Sequence, residues 1–293
     1  MFVKPYSRFA PVNGPAGRRF APEAEKRADR PTIHAMDFKD SVIVVTGGAS
    51  GIGRAMAQRF AADGAGAVIV ADLNAAGVAE VASEIGGRGV VLDVADEAAV
   101  LEFIDSTEAT DGPIDLWCGN AGIGASGGVE LGNEIWDANW NVNVMAHVIA
   151  ARHLVPRWIE RGQGHLLLTA SAAGLLTNLG TAPYAVTKHA CVALAEWIAV
   201  TYGEQGVGVS CLCPQGVRTP MTENDGELAI EVVKAMGMIE PEEVADAVAI
   251  ALAADEFLIL PHPEVATYEQ RRAGDRGRWI RGMQQLQRTL PSG

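Results

Sequence analysis

The chain has 293 residues, 48% of them hydrophobic and 20% charged, with a formal net charge of −13. This is ordinary globular composition with length for one large core, so a single α/β domain with terminal additions is the expected organisation. The acidic balance argues against a nucleic-acid surface, and no window approaches the roughly 18 uninterrupted apolar residues of a membrane span.

The charge is uneven: residues 1–35 carry seven Lys/Arg against three Asp/Glu, and residues 269–293 carry six Arg against two acids. Residues 1–36 read as a flexible leader. They lack the apolar run of a secretory signal, and Met36, just before the first strand, is a second candidate start. The four cysteines, Cys118, Cys191, Cys211 and Cys213, show no disulfide-framework or zinc-ribbon spacing. Cys211 and Cys213 alternate on one strand face, and a buried, reduced pair suits a cytoplasmic protein.

From residue 40, strand and helix patterns alternate. Val42–Thr46 is a continuous apolar strand, followed by a helix from Gly51 to Asp63 with Ile52, Met56 and Phe60 on one stripe. Ala67–Ala71 is a second strand ending at Asp72, Ala75–Ile85 a helix, and Gly89–Leu92 a third strand ending at Asp93. Asp96 is placed to cap a helix reaching Thr110. Ile114–Cys118 is a fourth strand, closed by Gly119-Asn120-Ala121-Gly122, and a long helix runs from about Glu134 to Glu160. His165–Thr169 is a fifth strand, Thr181–Tyr202 holds a helix, and Val207–Leu212 is a sixth strand stopped by Pro214. Pro241–Ala254 is an amphipathic helix and Phe257–Leu260 a short strand. An Arg-rich helical extension over 263–293 presents Trp279, Ile280, Met283 and Leu286 at helical spacing, for packing on the body or on another subunit. Continuous apolar strands between helices imply a doubly wound parallel sheet.

Three constellations carry chemistry. The turn Thr46-Gly47-Gly48-Ala49-Ser50-Gly51-Ile52-Gly53 follows a strand and opens a helix, the context in which glycines let backbone amides approach a pyrophosphate. Asp72, 19 residues past Gly53, is placed to accept from both ribose hydroxyls of an adenosine and to repel a 2′-phosphate. No Arg or Lys stands at Ser50 or after Asp72, where Leu73 follows, so NAD is expected rather than NADP. Tyr184 and Lys188 lie four apart on one helix face, with Ser171 13 residues upstream at a strand end. A free phenol holds its proton well above neutral pH, and a neighbouring ammonium favours the phenolate. No His/Cys/Asp cluster has metal-ligand spacing, and no metal is expected.

Together these elements resemble the short-chain dehydrogenase/reductase family in its single-domain subgroup, over about residues 38–260. The family's Thr-Gly-x-x-x-Gly-x-Gly turn matches Thr46, Gly47, Gly51 and Gly53; its adenine-side acid matches Asp93-Val94; its Asn-Asn-Ala-Gly strand end matches Asn120-Ala121-Gly122. Gly119 stands where the first Asn is usual, which removes a side chain that braces the sheet. The helix Asn matches Asn143, and the catalytic Ser, Tyr and Lys match Ser171, Tyr184 and Lys188. Pro214 opens the family's Pro-Gly loop, but Gln215 replaces the Gly; Gly216, Val217 and Thr219 complete a loop expected to touch cofactor, with Thr219 at the nicotinamide carboxamide.

The resemblance implies a Rossmann fold over 37–262 and a substrate lid over 219–240. Tyr184 is then the general acid/base and Ser171 the oxyanion donor; Lys188 assists the phenol and holds nicotinamide-ribose hydroxyls, and Asn143 anchors a relay water. It also implies a homodimer or homotetramer with a seam of the helices around 134–160 and 183–203. His147, His153 and His189 read as packing or interface residues, and Trp197 as core or interface. Apolar residues near Tyr184 and in the lid suit a hydrophobic secondary alcohol or ketone. Two alternatives stay open: a dinucleotide-binding regulator without turnover, and an epimerase or dehydratase that retains NAD.

Overall fold

The computed structural model describes residues 35–223 and 237–289, all within one compact unit, Thr32–Gly293. Leader residues 1–34 and lid residues 224–236 lie outside the described residues.

Seven strands form one sheet in the order β3-β2-β1-β4-β5-β6-β7, and every neighbouring pair is parallel. The inner strand β1 (Val42–Thr46) is buried at every position, as a run covered by helices on both faces must be. β2 (Ala67–Asp72) pairs with β1 from Val42↔Ala67 to Thr46↔Ala71, while β4 (Leu116–Gly119) lines its other edge from Ile43↔Leu116 to Val45↔Cys118. The outer strands are β3 (Arg88–Val91) beyond β2, then β5 (Gly164–Thr169), β6 (Val207–Leu212) and β7 (Leu258–Ile259) beyond β4. The chain reverses its winding between β1 and β4, and such a switch point opens a crevice at the carboxyl ends of the strands.

Helices α1 (Gly51–Ala62), α2 (Ala75–Ile85) and α3 (Glu97–Asp111) follow the first three strands, and the Asp96 carboxylate caps α3 by accepting from Ala98 N and Ala99 N. The long helix expected after β4 is three segments: α4 (Asn133–Trp140), a π turn (Asn141–Met145) and α5 (Ala146–Arg161). A short α6 (Ala172–Leu176), absent from the sequence reading, precedes α7 (Ala182–Tyr202). After β6 come α8 (Pro220–Glu223), α9 (Pro241–Ala253), α10 (Glu264–Gly274) and α11 (Arg276–Thr289). The C-terminal extension is thus two helices; Asp275 breaks them and caps the second, its Oδ1 accepting from Arg278 N at 2.8 Å.

The fourth strand starts two residues later than expected. The Ile114 carbonyl leaves the ladder to accept from Trp158 Nε1 and Arg161 Nη2, both at 2.8 Å. One face of the sheet packs Trp117, Leu166 and Leu168 against Ile149, Trp158 and Ile198; the other packs Ile43, Leu116 and Leu167 with Met56, Phe60 and Val248. All four cysteines are buried and free, with Cys211 Sγ and Cys213 Sγ 3.8 Å apart. Among the described residues no helix is long and apolar enough to cross a membrane, and no group of His, Cys, Asp and Glu could hold a metal ion.

Candidate active site

The glycine turn between β1 and α1 is shaped by close backbone approach. Gly47 and Gly51 hold φ of 63° and 53°, left-handed values that favour glycine. A Cβ on Gly47 would lie 2.8 Å from Ala121 Cα, and one on Gly51 would lie 2.9 Å from Thr219 Cγ2. The turn is therefore held between the end of β4 and the loop after β6. Ser50 precedes α1 without capping it through its side chain, and the first turn of α1 carries no acid. Its amides and positive dipole end are left for an anion.

Asp72, at the end of β2, bends toward this turn. Its Oδ2 accepts from Ala49 N at 3.2 Å and its Oδ1 from Asn74 N at 3.0 Å. Asn74, not Asp72, caps α2, accepting from Gly77 N at 3.2 Å. Leu73 is exposed beside it. The nearby cation Arg54 is committed to Glu80 and Glu84. Asp93 makes a local turn to Ala95 N at 2.9 Å, and Val94 packs inward. This carboxylate and amide set fits the ribose and pyrophosphate of an adenine dinucleotide.

Asn120 ties the end of β4 to the glycine turn. Its Nδ2 donates to Thr46 O at 3.2 Å and Gly47 O at 3.3 Å, while the buried Thr46 hydroxyl accepts from Asn120 N and Ala121 N and donates to Cys118 O. The glycine at 119 has a visible reason. A Cβ there would lie 2.5 Å from Nδ1 of His147, so the imidazole fills the vacated space. The ring is buried, and its Nε2 has no hydrogen-bond partner among the described residues. Desolvation, and then the Lys188 charge, push the imidazole down to about 3 from its ordinary 6.5, so it stays neutral.

On α7, Lys188 Nζ stands 5.5 Å from the centroid of the half-buried Tyr184 ring and donates to Thr169 O at 2.8 Å. Ser171 closes β5 and caps α6; its hydroxyl accepts from Ala173 N at 3.1 Å and donates to Pro214 O at 3.4 Å. A Cβ on Gly122 would meet Asn143 Oδ1 at 3.3 Å and Lys188 Nζ at 3.4 Å, so the end of β4, the π turn and α7 converge on one point. The Asn143 carboxamide is largely committed. Oδ1 accepts from Ile123 N and Nδ2 donates to Ile123 O, both at 2.9 Å, and Nδ2 also reaches Thr187 Oγ1 at 3.1 Å. Its side chain first braces the loop after β4 against α7; only unused acceptor capacity is left for a water.

Residues 41–228 match the family model described as short chain dehydrogenase. The chain is 39% identical to a 1-deoxy-11-beta-hydroxypentalenate dehydrogenase of Streptomyces avermitilis, over 79% of this chain and 88% of that one. It is 32% identical to oxidoreductase UcpA of Escherichia coli, over 73% and 87%. Among solved structures, a short-chain dehydrogenase/reductase from Burkholderia phymatum in complex with NAD superposes with a TM-score of 0.75 at 28% identity, over 88% of this chain and 99% of that one. The chain belongs to the short-chain dehydrogenase/reductase family. It is accordingly an oxidoreductase of CH–OH groups and their carbonyls.

Against that family frame, residues that the motifs did not mark are as instructive as those they did. His262 is buried and clamps the loop in which Gln215 replaces the usual Gly. Its Nδ1 accepts from Gln215 N and its Nε2 donates to Gly216 O, both at 3.1 Å. Thr187 links Asn143 to the Tyr184 carbonyl, which its hydroxyl reaches at 3.0 Å. Thr219 turns its hydroxyl to Thr222 Oγ1 at 3.0 Å and its methyl to Gly51. Val217 is buried, and its carbonyl accepts from Thr222 Oγ1. His153 takes part in a surface ion group with Glu97, while His189 packs on its own helix.

Proposed function

We propose that this chain is an NAD-dependent dehydrogenase that interconverts a hydrophobic secondary alcohol and its ketone, with Tyr184 as general acid/base. The observation that carries the reading is the placement of Lys188 Nζ against the Tyr184 ring, with the Ser171 hydroxyl at the neighbouring strand end. NAD, when bound, supplies the hydride acceptor. Tyr184 takes the alcohol proton as the carbonyl forms, and returns it in the reverse direction. Lys188 places positive charge beside the phenol and keeps donors free for ribose hydroxyls. Ser171 can release its long bond to Pro214 O and donate to the substrate oxygen, where charge develops. Asn143 holds the loop and α7 in register and offers acceptor capacity for a water behind Lys188.

The choice of NAD rests on the Asp72 carboxylate at the ribose position and on Arg54 being spent on Glu80 and Glu84. The NAD-bound family structure supports it. The relative named for 1-deoxy-11-beta-hydroxypentalenate supports a hydroxylated carbon on a carboxylic acid. The exposed Trp140, Val186, Trp197 and Val200 support self-association through α4 and α7, and the four unpaired thiols support a reducing, cytoplasmic setting.

The test is nicotinamide reduction by the full chain against a panel of hydrophobic secondary alcohols, with NADP+ in parallel. NAD+ turnover that is lost in Tyr184→Phe, with NAD+ binding retained, is the expected result. Turnover with NADP+ alone refutes the reading of Asp72. Full turnover by Tyr184→Phe refutes the role of Tyr184.

A further inference from the structure

A separate cavity lies on the segment that leads from Ser171 to Tyr184. It is a cleft of about 600 Å³ between the segment after Ser171 and the C-terminal helix α11. Leu176 and Leu179 form one wall, Trp279, Ile280 and Met283 the other. Thr177, also in the wall, holds φ of 93°, a costly conformation for a β-branched residue and one that clusters at functional sites. Arg272, Arg276 and Arg288 line the same cleft.

These cations stand out in so acidic a chain. The sequence of α11 contains no Asp or Glu. Among the described residues, Arg272, Arg276 and Arg288 form no ion pair with a carboxylate. Arg272 Nη2 instead donates to His189 Nε2 at 3.2 Å, with His189 Nδ1 donating to Ala185 O at 2.8 Å. The His189 imidazole thus holds this guanidinium one residue past Lys188 and adds no negative charge, while Glu269 offsets part of the guanidinium's charge. Burial, and then the Arg276 charge, push the Arg272 guanidinium below its ordinary range, so an anion there relieves both costs.

We propose that this cleft takes the carboxylate end of an apolar hydroxy-acid substrate. The skeleton lies along Leu176, Leu179 and Trp279, and the arginines receive the anion. The placement of the substrate hydroxyl at Tyr184 rests on the dehydrogenase reading; the carboxylate subsite rests on the cleft itself. Arginine suits the task because its planar fork binds carboxylate through two parallel N–H donors. Leu176, Thr177 and Leu179 belong to the segment that joins Ser171 to Tyr184 through α6, which ties this wall to the candidate site along the chain.

The test is calorimetric titration of decanoate into the NAD-loaded full chain, with 2-decanol as the uncharged probe. Decanoate should bind more tightly than 2-decanol, and Arg276→Gln with Arg288→Gln should weaken decanoate by roughly tenfold or more while leaving 2-decanol unchanged. Arg276→Lys should recover part of the loss. Equal decanoate affinity in wild type and the double variant overturns the proposal, as does equal affinity for the two probes. If Ile280→Glu shifts the sedimenting species to a smaller one and wild type binds no decanoate, the cleft is a subunit contact and the proposal falls. Matched hydroxy acids and their methyl esters then separate the two readings. Turnover of both without preference removes the subsite and keeps the dehydrogenase. Charge-dependent decanoate binding without turnover of any alcohol does the reverse.

Discussion

At the scale of single residues, His147 shows how a departure from a motif is repaired elsewhere in the chain. Gly119 leaves room at the end of β4, and the imidazole of α5 occupies it in its neutral form. The unfolded chain takes up a proton below about 6.5, the folded one only near 3, so stability is full above about 6.5 and declines as pH falls through that window. For so buried a group the loss is on the order of a few kcal/mol. His147→Asn should flatten the fall of the unfolding midpoint between those pH values, measured by thermal melts across the range. His262 is a second such residue. His262→Ala removes the imidazole that accepts from the Gln215 backbone amide and loosens the loop that meets Gly51, at about 1–3 kcal/mol for the lost hydrogen bond. The expected outcome is a several-fold rise in KM for NAD+ with a smaller change in kcat, read from initial rates.

At the scale of elements, the geometry of the candidate site depends on how closely α6 approaches α7. A Cβ on Gly174 would sit 2.5 Å from Lys188 O and 3.0 Å from Val192 Cγ2. Gly174→Ala must push α6 away, and Ser171 caps α6. The variant should lose about 1–3 kcal/mol in a denaturant melt and lose kcat beyond what KM for NAD+ changes. Gly203→Ala, where a Cβ would meet nothing within 4 Å, serves as the neutral control. This level also shows what was legible beforehand. The alternation of apolar strands and helices was plain in the chain, because buried parallel strands are apolar at every position. Tyr184 and Lys188 were legible because helical spacing puts them on one face. The contacts of α6 with α7, and of His262 with Gln215, were not. They join segments by packing, and neither a period nor a motif marks such a meeting. The π turn at Asn141–Met145 was hidden for the same reason, since its residues read as uninterrupted helix.

At the scale of the whole molecule, α7 presents Val186, Trp197 and Val200 to solvent, with Val200 87% exposed. Their spacing places them on one face, and a stripe of this kind invites a partner surface. Under the dimer proposal, Trp197→Glu with Val200→Glu should reduce the sedimenting mass of the native species while the far-ultraviolet dichroism of the monomer persists. The acidic body and the basic α11 make the charge distribution as uneven in space as it is along the chain. The sheet has another consequence, in the order of assembly. Asn120 grips Thr46 across 74 positions, Asn143 grips Thr187 across 44, and Thr219 covers Gly51 from still farther along the chain. Each grip closes a long loop, whose entropy must be met before any contact rewards it. The nucleotide crevice is therefore among the last features a folding chain acquires, and no leading fragment holds it. A dinucleotide that binds only the finished crevice becomes a folding ligand as much as a reactant, favouring the closed chain by about 2.7 kcal/mol when present at a hundred times its dissociation constant.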